Sequence, residues 1–238
     1  ARKKDPEKCG YDFFLTKLFA GTGYNPGVVD EDSIRNISQK DVSSFHQRFI
    51  RPNNSIIVLD GNINLNNASL KISQSFSRWV SRPLERPPVP RLRNMNYETI
   101  LFLDLPTPDV SVIMGNAISP LGSEDYYALL VLNQLIGGSP TSRLFLNLRE
   151  SRGLAYYAFS QLSYFKNNGL FWIRSKTSAQ SVGQVVKEIL AQVHSLPEER
   201  IDPHELEKAK AYLAGNFPLE NQHPEQIAKR AGLQFIFQ

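Results

Sequence analysis

The chain has 238 residues, of which 41% are hydrophobic and 21% are charged, and its net charge of +4 is dispersed along the sequence. This balance is typical of one large or two smaller globular domains, excludes a disordered chain, and argues against a nucleic-acid-binding module. No apolar run reaches the roughly 18–20 residues that a membrane-spanning helix needs. A single cysteine, Cys9, excludes an internal disulfide framework, and we expect no role for it.

The first part of the chain is predicted to form helices and one strand. Residues 38–50 start with a Ser-x-x-Asp capping pattern and end before Pro52, which marks both ends of a helix. Residues 55–61 are β-branched and apolar and are closed by a glycine, which is typical of a buried strand. Helices are also predicted over 12–21 and 65–80. The charged start of the chain has no signal-type apolar stretch, so we expect either a processed N-terminus or an internal piece of a longer protein.

A proline-rich stretch then separates two regions. The sequence "SRPLERPPVPRLR" has four prolines in thirteen residues, and proline removes backbone donors and favours an extended chain. We therefore predict a linker over residues 81–94. It would join the end of one α/β domain (residues 1–80) to a second domain (residues 95–238).

The second region predicts helices packed on a mainly antiparallel sheet, an α+β fold. The sheet would contain two strands on either side of the turn at 106–108, and a later hairpin with an Asn-Gly-type turn. No parallel series with a glycine-rich phosphate loop is present. The predicted strands are 98–106, 109–118, 155–165 and 170–177, and the predicted helices are 123–138, 141–151, 178–196 and 202–217.

The sequence shows no self-contained catalytic or zinc site. In "HELEK" at 204–208, Lys208 stands where the helical zinc motif His-Glu-x-x-His needs its second imidazole, and an ammonium has no lone pair for a metal. The reverse pattern His-x-x-Glu-His and the nucleophile pattern Gly-x-Ser-x-Gly are also absent. We therefore predict no metal ligand and no cofactor in this chain, which has four histidines: His46, His194, His204 and His223.

Arg149 and Tyr156 mark a predicted corner between a helix and a strand. Gly153 between them allows a sharp turn, and this arrangement can point a guanidinium and a phenol into the same space. Together they would offer hydrogen bonds to a carbonyl oxygen or to the oxyanion formed from it. Alternatively, Arg149 complements the C-terminal end of its helix and Tyr156 packs on the sheet.

The stretch "GGSPTSRLFLNLRESRGLAYYAFSQLSYFKNNGLFWIRSKT" resembles the C-terminal half of the M16 zinc peptidases, the family of pitrilysin, insulin-degrading enzyme and the mitochondrial processing peptidase. The upstream "SIRNISQKDVSSFHQRFIRPNNSIIVLDGNI" and the late "ELEKAKAYLAGNF" are similar to the same family. The resemblance runs from about residue 28 to the end. It implies an M16-type domain shortened at its end, preceded by the tail of a similar domain.

The resemblance implies a function that the chain does not perform alone. Arg149 and Tyr156 fall on the family's arginine–tyrosine pair, which reaches a substrate held at a zinc site elsewhere, and the substrate-binding positions are Gly137, Gly138 and Arg143. The adjacent Tyr157 points to the other face of a strand, so the spacing selects Tyr156. Zinc and the His-x-x-Glu-His motif belong to a partner half or subunit.

As a consequence, we expect a dimeric assembly that hydrolyses peptides, with a periplasmic or secreted bacterial location favoured, and we expect this chain alone to be inactive. The alternative is a catalytically inactive scaffold subunit.

Overall fold

The computed structural model of the protein describes residues 6–25, 31–84, 99–165, 167–198 and 200–237. The chain divides into two compact units, the first unit (residues 1–27 and 89–216) and the second unit (residues 28–88 and 217–238). In chain order the elements are α1 (Pro6–Leu18), α2 (Glu31–Arg35), α3 (Gln39–Phe49), a 3₁₀ turn (Pro52–Asn54), α4 (Leu65–Ser75), β1 (Asp109–Ile118), α5 (Tyr126–Ile136), a π-helix (Phe145–Ser151), β2 (Ala155–Tyr164), β3 (Gly169–Ser178), α6 (Val182–Ser195), α7 (Pro203–Glu220) and α8 (Pro224–Phe237).

The first unit is built on an antiparallel sheet with the strand order β1-β3-β2. Successive residues of β3 face opposite sides of this sheet. On one side, Trp172 lies 4.9 Å from the ring of Tyr11 in α1. On the other side, Ile173 belongs to an apolar cluster that includes Val185 and Ile189 of α6. Helices therefore cover both faces of the sheet.

The core of the first unit lies on the α6 side of the sheet. Apolar residues of β1, β2 and β3 meet α5, the π-helix and α6 there, because their alternating positions all point to this side. The buried members of this cluster are Val112, Ile136, Leu144, Leu148, Ala155, Ala158, Ile173, Val185 and Ile189. The predicted α+β fold with helices on an antiparallel sheet is confirmed.

The second unit contains α2, α3, the 3₁₀ turn, α4, the last residues of α7, α8 and extended chain. α3 starts with a full capping box, in which Ser38 and Asp41 exchange side-chain to backbone hydrogen bonds, as its sequence predicts. No described residue of this unit is buried. Its apolar side chains are therefore accessible.

Two predicted strands are wrong. Residues 55–60 and 99–105 belong to no strand, although both stretches are rich in β-branched or large apolar residues. A strand exists only where a neighbouring strand binds its N–H and C=O groups, and no described segment pairs with either stretch. By contrast, the strand at 109–118 and the hairpin strands at 155–165 and 170–177 are confirmed within one residue.

Several predicted helices differ at their ends. The first helix runs from Pro6 to Leu18 rather than over 12–21, and α4 ends at Ser75 rather than at residue 80. The segment predicted as a helix over 141–151 becomes a π-helix from Phe145 to Ser151.

The predicted linker 81–94 lies mostly outside the described residues, and so does residue 98. The domain limits at 80 and 95 stay predictions, and the two compact units each combine residues from both predicted domains. Within the described part of the chain, no helix has the length and apolar character that crossing a membrane requires.

Candidate functional site

Arg149 and Tyr156 lie on either side of a tight corner in the first unit. Arg149 is in the π-helix, and Tyr156 is the second residue of β2. The backbone N–H of Arg152 donates to the Asn147 carbonyl at 3.2 Å, which is the five-residue hydrogen bond of a π-helix. Such turns are rare, and they occur frequently at functional sites.

The end of the π-helix is fastened to α6. Glu188 of α6 accepts a hydrogen bond of 3.0 Å from the Asn147 side chain and forms an ion pair of 2.8 Å with Arg152. Gly153 then turns the chain with a φ of +59°, a left-handed conformation that favours glycine. Contacts with Glu188 therefore fix the helical side of the corner, and Gly153 adopts the left-handed conformation that the turn needs.

β2 begins with a β-bulge that contains Tyr156. Ala155 lies opposite Thr177, and Tyr157 lies opposite Lys176, so Tyr156 is the extra residue on β2. A bulge of this kind re-aims a side chain relative to regular alternation and is common next to active sites. Tyr156 is 60% exposed, so its phenol is accessible.

The Arg149 side chain is also accessible, with 50% of its surface exposed. Its Nε lies 3.9 Å from Glu150 Oε1, and its guanidinium lies 5.1 Å from the centre of the Phe145 ring. An exposed ion pair of this type contributes about 0–1 kcal/mol. The guanidinium is therefore held only weakly by its neighbours, and neither member of the pair is covered by packed aliphatic groups.

Tyr157 has a different environment. Its phenol donates a hydrogen bond of 3.0 Å to Glu7 of α1, and Arg174 binds the same carboxylate at 2.6 Å. Burial raises the pKa of the Tyr157 phenol, the charge of Arg174 opposes this rise, and the hydrogen bond to Glu7 adds to it. Tyr157 thus joins α1 to the sheet, whereas the adjacent Tyr156 is exposed.

Gly137 and Gly138, predicted to bind substrate, lie where α5 ends against β2. A Cβ on Gly137 would lie 2.3 Å from the backbone N of Ser160, and one on Gly138 would lie 2.7 Å from Oε1 of Gln134. The backbone contact leaves no room for a side chain at Gly137. At Gly138, by contrast, the two closest atoms are the ends of the Gln134 and Asn133 side chains. Their contact with substrate stays a prediction.

Arg143, the third predicted substrate-binding residue, forms a bidentate ion pair with Glu205 of α7. Its Nε and Nη2 donate to the two carboxylate oxygens at 2.7 and 2.8 Å. The sequence gives no signal for this pair, because 62 residues separate its members. The pair joins the start of the π-helix region to α7, and a contact between Arg143 and substrate stays a prediction.

A cavity of about 1230 Å³ runs along β1 between α1 and α6, away from the corner. Three of its charged lining residues pair with one another, since Lys176 Nζ lies 3.1 Å from Asp109 Oδ2 and 3.5 Å from Glu7 Oε1. Neither Arg149 nor Tyr156 lines this cavity. In the cavity, these three charges offset one another. We assign the candidate site to the corner, because the Arg149 guanidinium and the Tyr156 phenol are exposed there.

The described residues do not provide a zinc site. Among them, no group of three or more His, Cys, Asp or Glu side chains is placed to hold a metal ion. Lys208, which interrupts the near-match to a zinc motif, lies on α7 with its side chain exposed. The donor set therefore does not fit a catalytic metal in the described part of this chain.

Comparison with known proteins identifies what the chain resembles. Residues 36–213 match the sequence model of the peptidase M16 inactive domain. An uncharacterized zinc protease of Streptomyces coelicolor is 25% identical over 234 residues, which cover 96% of this chain and 51% of that protein. A Bacillus subtilis protein named as a probable inactive metalloprotease is 34% identical over 116 residues, covering 48% of this chain and 25% of that protein.

A solved structure shows the same fold. The crystal structure of a peptidase M16 inactive domain from Pseudomonas fluorescens superimposes with a TM-score of 0.86 at 22% identity, covering 99% of this chain and 56% of that one. The chain spans about half the length of the curated relatives it matches, between 51% and 53% for the zinc proteases of Streptomyces coelicolor and Mycobacterium bovis.

Proposed function

Because the chain belongs to the family of peptidase M16 inactive domains, we propose that it is the non-zinc-binding part of an M16 metallopeptidase. In this role it contributes substrate binding and oxyanion stabilisation to peptide hydrolysis. The observation that carries the proposal is the corner itself, where a π-helix and a β-bulge leave the Arg149 guanidinium and the Tyr156 phenol exposed.

The proposed chemistry uses only hydrogen-bond donors. A phenol O–H and a guanidinium can both donate to the carbonyl oxygen of a scissile peptide bond, and both bonds strengthen as negative charge develops on that oxygen. Donors that are fixed before the reaction need no reorganisation during it, which is the usual source of oxyanion stabilisation. The bonds of Glu188 to Asn147 and Arg152 fix the backbone that carries Arg149, whereas its guanidinium is held only weakly before substrate binds.

The metal belongs to another part of the assembly in this proposal. The described residues of this chain offer no zinc site, whereas several relatives are named zinc proteases. We therefore place zinc in a partner half or subunit with a His-x-x-Glu-His motif, in a dimer-like arrangement that encloses a peptide. Exposure of the pair fits this arrangement, because the second half would complete the chamber.

The decisive experiment compares two adjacent tyrosines in the intact peptidase assembly. Tyr156→Phe removes the proposed donor, and we expect kcat to fall by about 10²–10³ with little change in melting temperature. Tyr157→Phe is the matched control, since its hydroxyl binds Glu7 rather than substrate. This control is expected to lower stability and to leave turnover nearly unchanged. Equal turnover of the Tyr156→Phe variant and the wild type would refute the proposal.

A second candidate function is a catalytically inactive scaffold subunit. The naming of the Bacillus subtilis relative as a probable inactive metalloprotease favours it. In a scaffold, Arg149→Ala would leave the turnover of the assembly unchanged and would change only its stability. In the enzyme, the same variant lowers turnover while the melting temperature stays constant.

A further inference from the structure

Two hydroxyl side chains of β3 are fully buried on the apolar side of the sheet. Ser175 and Thr177 both have 0% exposure, and their neighbours on the flanking strands include Val112 and Ala158. A buried hydroxyl is unfavourable unless it forms a hydrogen bond, and valine would fill a similar position without this requirement. The presence of hydroxyls at these two positions therefore indicates that each forms a specific hydrogen bond.

Both hydroxyls bind backbone carbonyls at the start of β2. Thr177 Oγ1 donates to the carbonyl of Leu154 at 2.5 Å, and Ser175 Oγ donates to the carbonyl of Tyr157 at 3.0 Å. The residues that carry these carbonyls, Leu154 and Tyr157, flank the Ala155–Tyr156 segment. The two hydroxyls thus bind the backbone on both sides of the β-bulge.

The bulge decides where Tyr156 points. Ala158 and Ser160 are buried on the apolar side of the sheet, so regular alternation would also turn residue 156 to that side. The extra residue instead places Ala155 opposite Thr177, and Tyr156 is 60% exposed. A change of one residue in register reverses the faces of all neighbouring side chains, so the register must be fixed.

We propose that Ser175 and Thr177 are positioning residues, which hold the bulge and thereby direct the Tyr156 phenol towards the substrate. The inference rests on the proposed function of Tyr156. Neither residue contacts substrate, because both are buried beneath the sheet surface. Their contribution to catalysis passes through the backbone carbonyls of Leu154 and Tyr157.

The test uses variants at Thr177 in the intact peptidase assembly. Thr177→Val keeps the shape and removes the hydroxyl, and we expect kcat to fall by about tenfold to a hundredfold while KM changes by less than about twofold. Thr177→Ser retains the hydroxyl and should restore kcat to within about twofold of the wild type. Amide hydrogen exchange of residues 154–158 should be faster in Thr177→Val and close to wild type in Thr177→Ser.

Ser160→Ala is the matched control. Ser160 is another buried serine of the same sheet side, but its hydroxyl binds Asn133 near the end of α5, at 2.9 Å from the side-chain Oδ1 and 3.1 Å from the backbone carbonyl oxygen, rather than the bulge. This control should lower the melting temperature without lowering kcat. If Thr177→Val does not fold, Ser175→Ala, at the other carbonyl, is expected to lower kcat in the same way.

The outcomes separate this inference from the function on which it rests. If Tyr156→Phe lowers kcat but folded Thr177→Val and Ser175→Ala do not, only the positioning role is overturned. If Tyr156→Phe has no effect on kcat, the proposed function and the positioning role both fail. An equal loss of kcat in Ser160→Ala and Thr177→Val would show a general packing effect and would also overturn the positioning role.

Discussion

Among the residues that the structure describes, fourteen apolar residues of the first unit are buried, whereas no residue of the second unit is buried. The second unit also contains large apolar side chains, since Phe45 and Leu65 would suit a core but are 61% and 78% exposed. The difference lies in the sheet. β1, β2 and β3 give the first unit a surface on which helices close a core, and the second unit has no strand among its described residues.

An apolar stretch becomes buried only where another element packs against it, and its own sequence does not supply that element. Each unit has a mostly apolar stretch, residues 99–105 in the first and 55–60 in the second, and neither stretch pairs with a segment that the structure describes. In the first unit the remaining sheet is sufficient for a closed core. In the second unit, apolar side chains along 56–59 are 36–51% exposed.

The largest expected contrast is between buried and exposed apolar residues. Ile189 in the first unit is 0% exposed, and Leu59 in the second unit is 51% exposed. Ile189→Ala should lower the free energy of unfolding by about 2–5 kcal/mol, and Leu59→Ala should change it by less than about 0.5 kcal/mol. Urea unfolding followed by fluorescence can separate the units, because Trp172 lies in the first unit and Trp79 in the second.

Equal costs for these two substitutions would contradict the contrast between the units. The same two substitutions, measured in a longer protein that contains this chain, test the contrast further. A larger cost for Leu59→Ala in that protein would show that the apolar stretch of the second unit is covered there.

A second contrast concerns ion pairs. The side chains of Arg143 and Glu205 in the first unit are 18% and 29% exposed, whereas those of Arg35 and Glu31 in the second unit are 69% and 78% exposed. Double-mutant cycles should give a coupling of about 1.5–3 kcal/mol for the bidentate pair and about 0.3–0.5 kcal/mol for the exposed helical pair. High salt should weaken the exposed pair more. Similar coupling energies would show that burial does not distinguish the two pairs.

The smallest expected effect is the pH dependence of the α3 capping box in the second unit. Hydrogen bonds from the Ser38 side chain and backbone lower the pKa of Asp41 below 3.8. The ionised Asp41 carboxylate therefore stabilises the folded state above pH 3.8, the ordinary pKa of this group. This contribution is lost as the pH falls through the lower pKa of Asp41 in the folded state. Asp41→Asn should remove this part of the pH dependence in urea unfolding. An unchanged pH profile in that variant would exclude the carboxylate as its source.

The candidate site was only partly predictable. The spacing between Arg149 and Tyr156, with Gly153 between them, correctly predicted a helix–turn–strand corner. The sequence does not predict the π-helix or the bulge, and both regions bind residues distant in sequence, namely Glu188, Ser175 and Thr177.

The sequence by itself determined the family and those local elements that have clear local signals. Capping residues, the hairpin turn and alternating apolar positions act over a few residues, and β1, the hairpin and α3 formed as these signals predict. Only the tertiary structure decided which apolar stretches became strands and how the bulge directs Tyr156 relative to the adjacent Tyr157. The physical reason is that a strand needs a partner for its backbone groups, and a side chain's direction depends on a register set across the sheet.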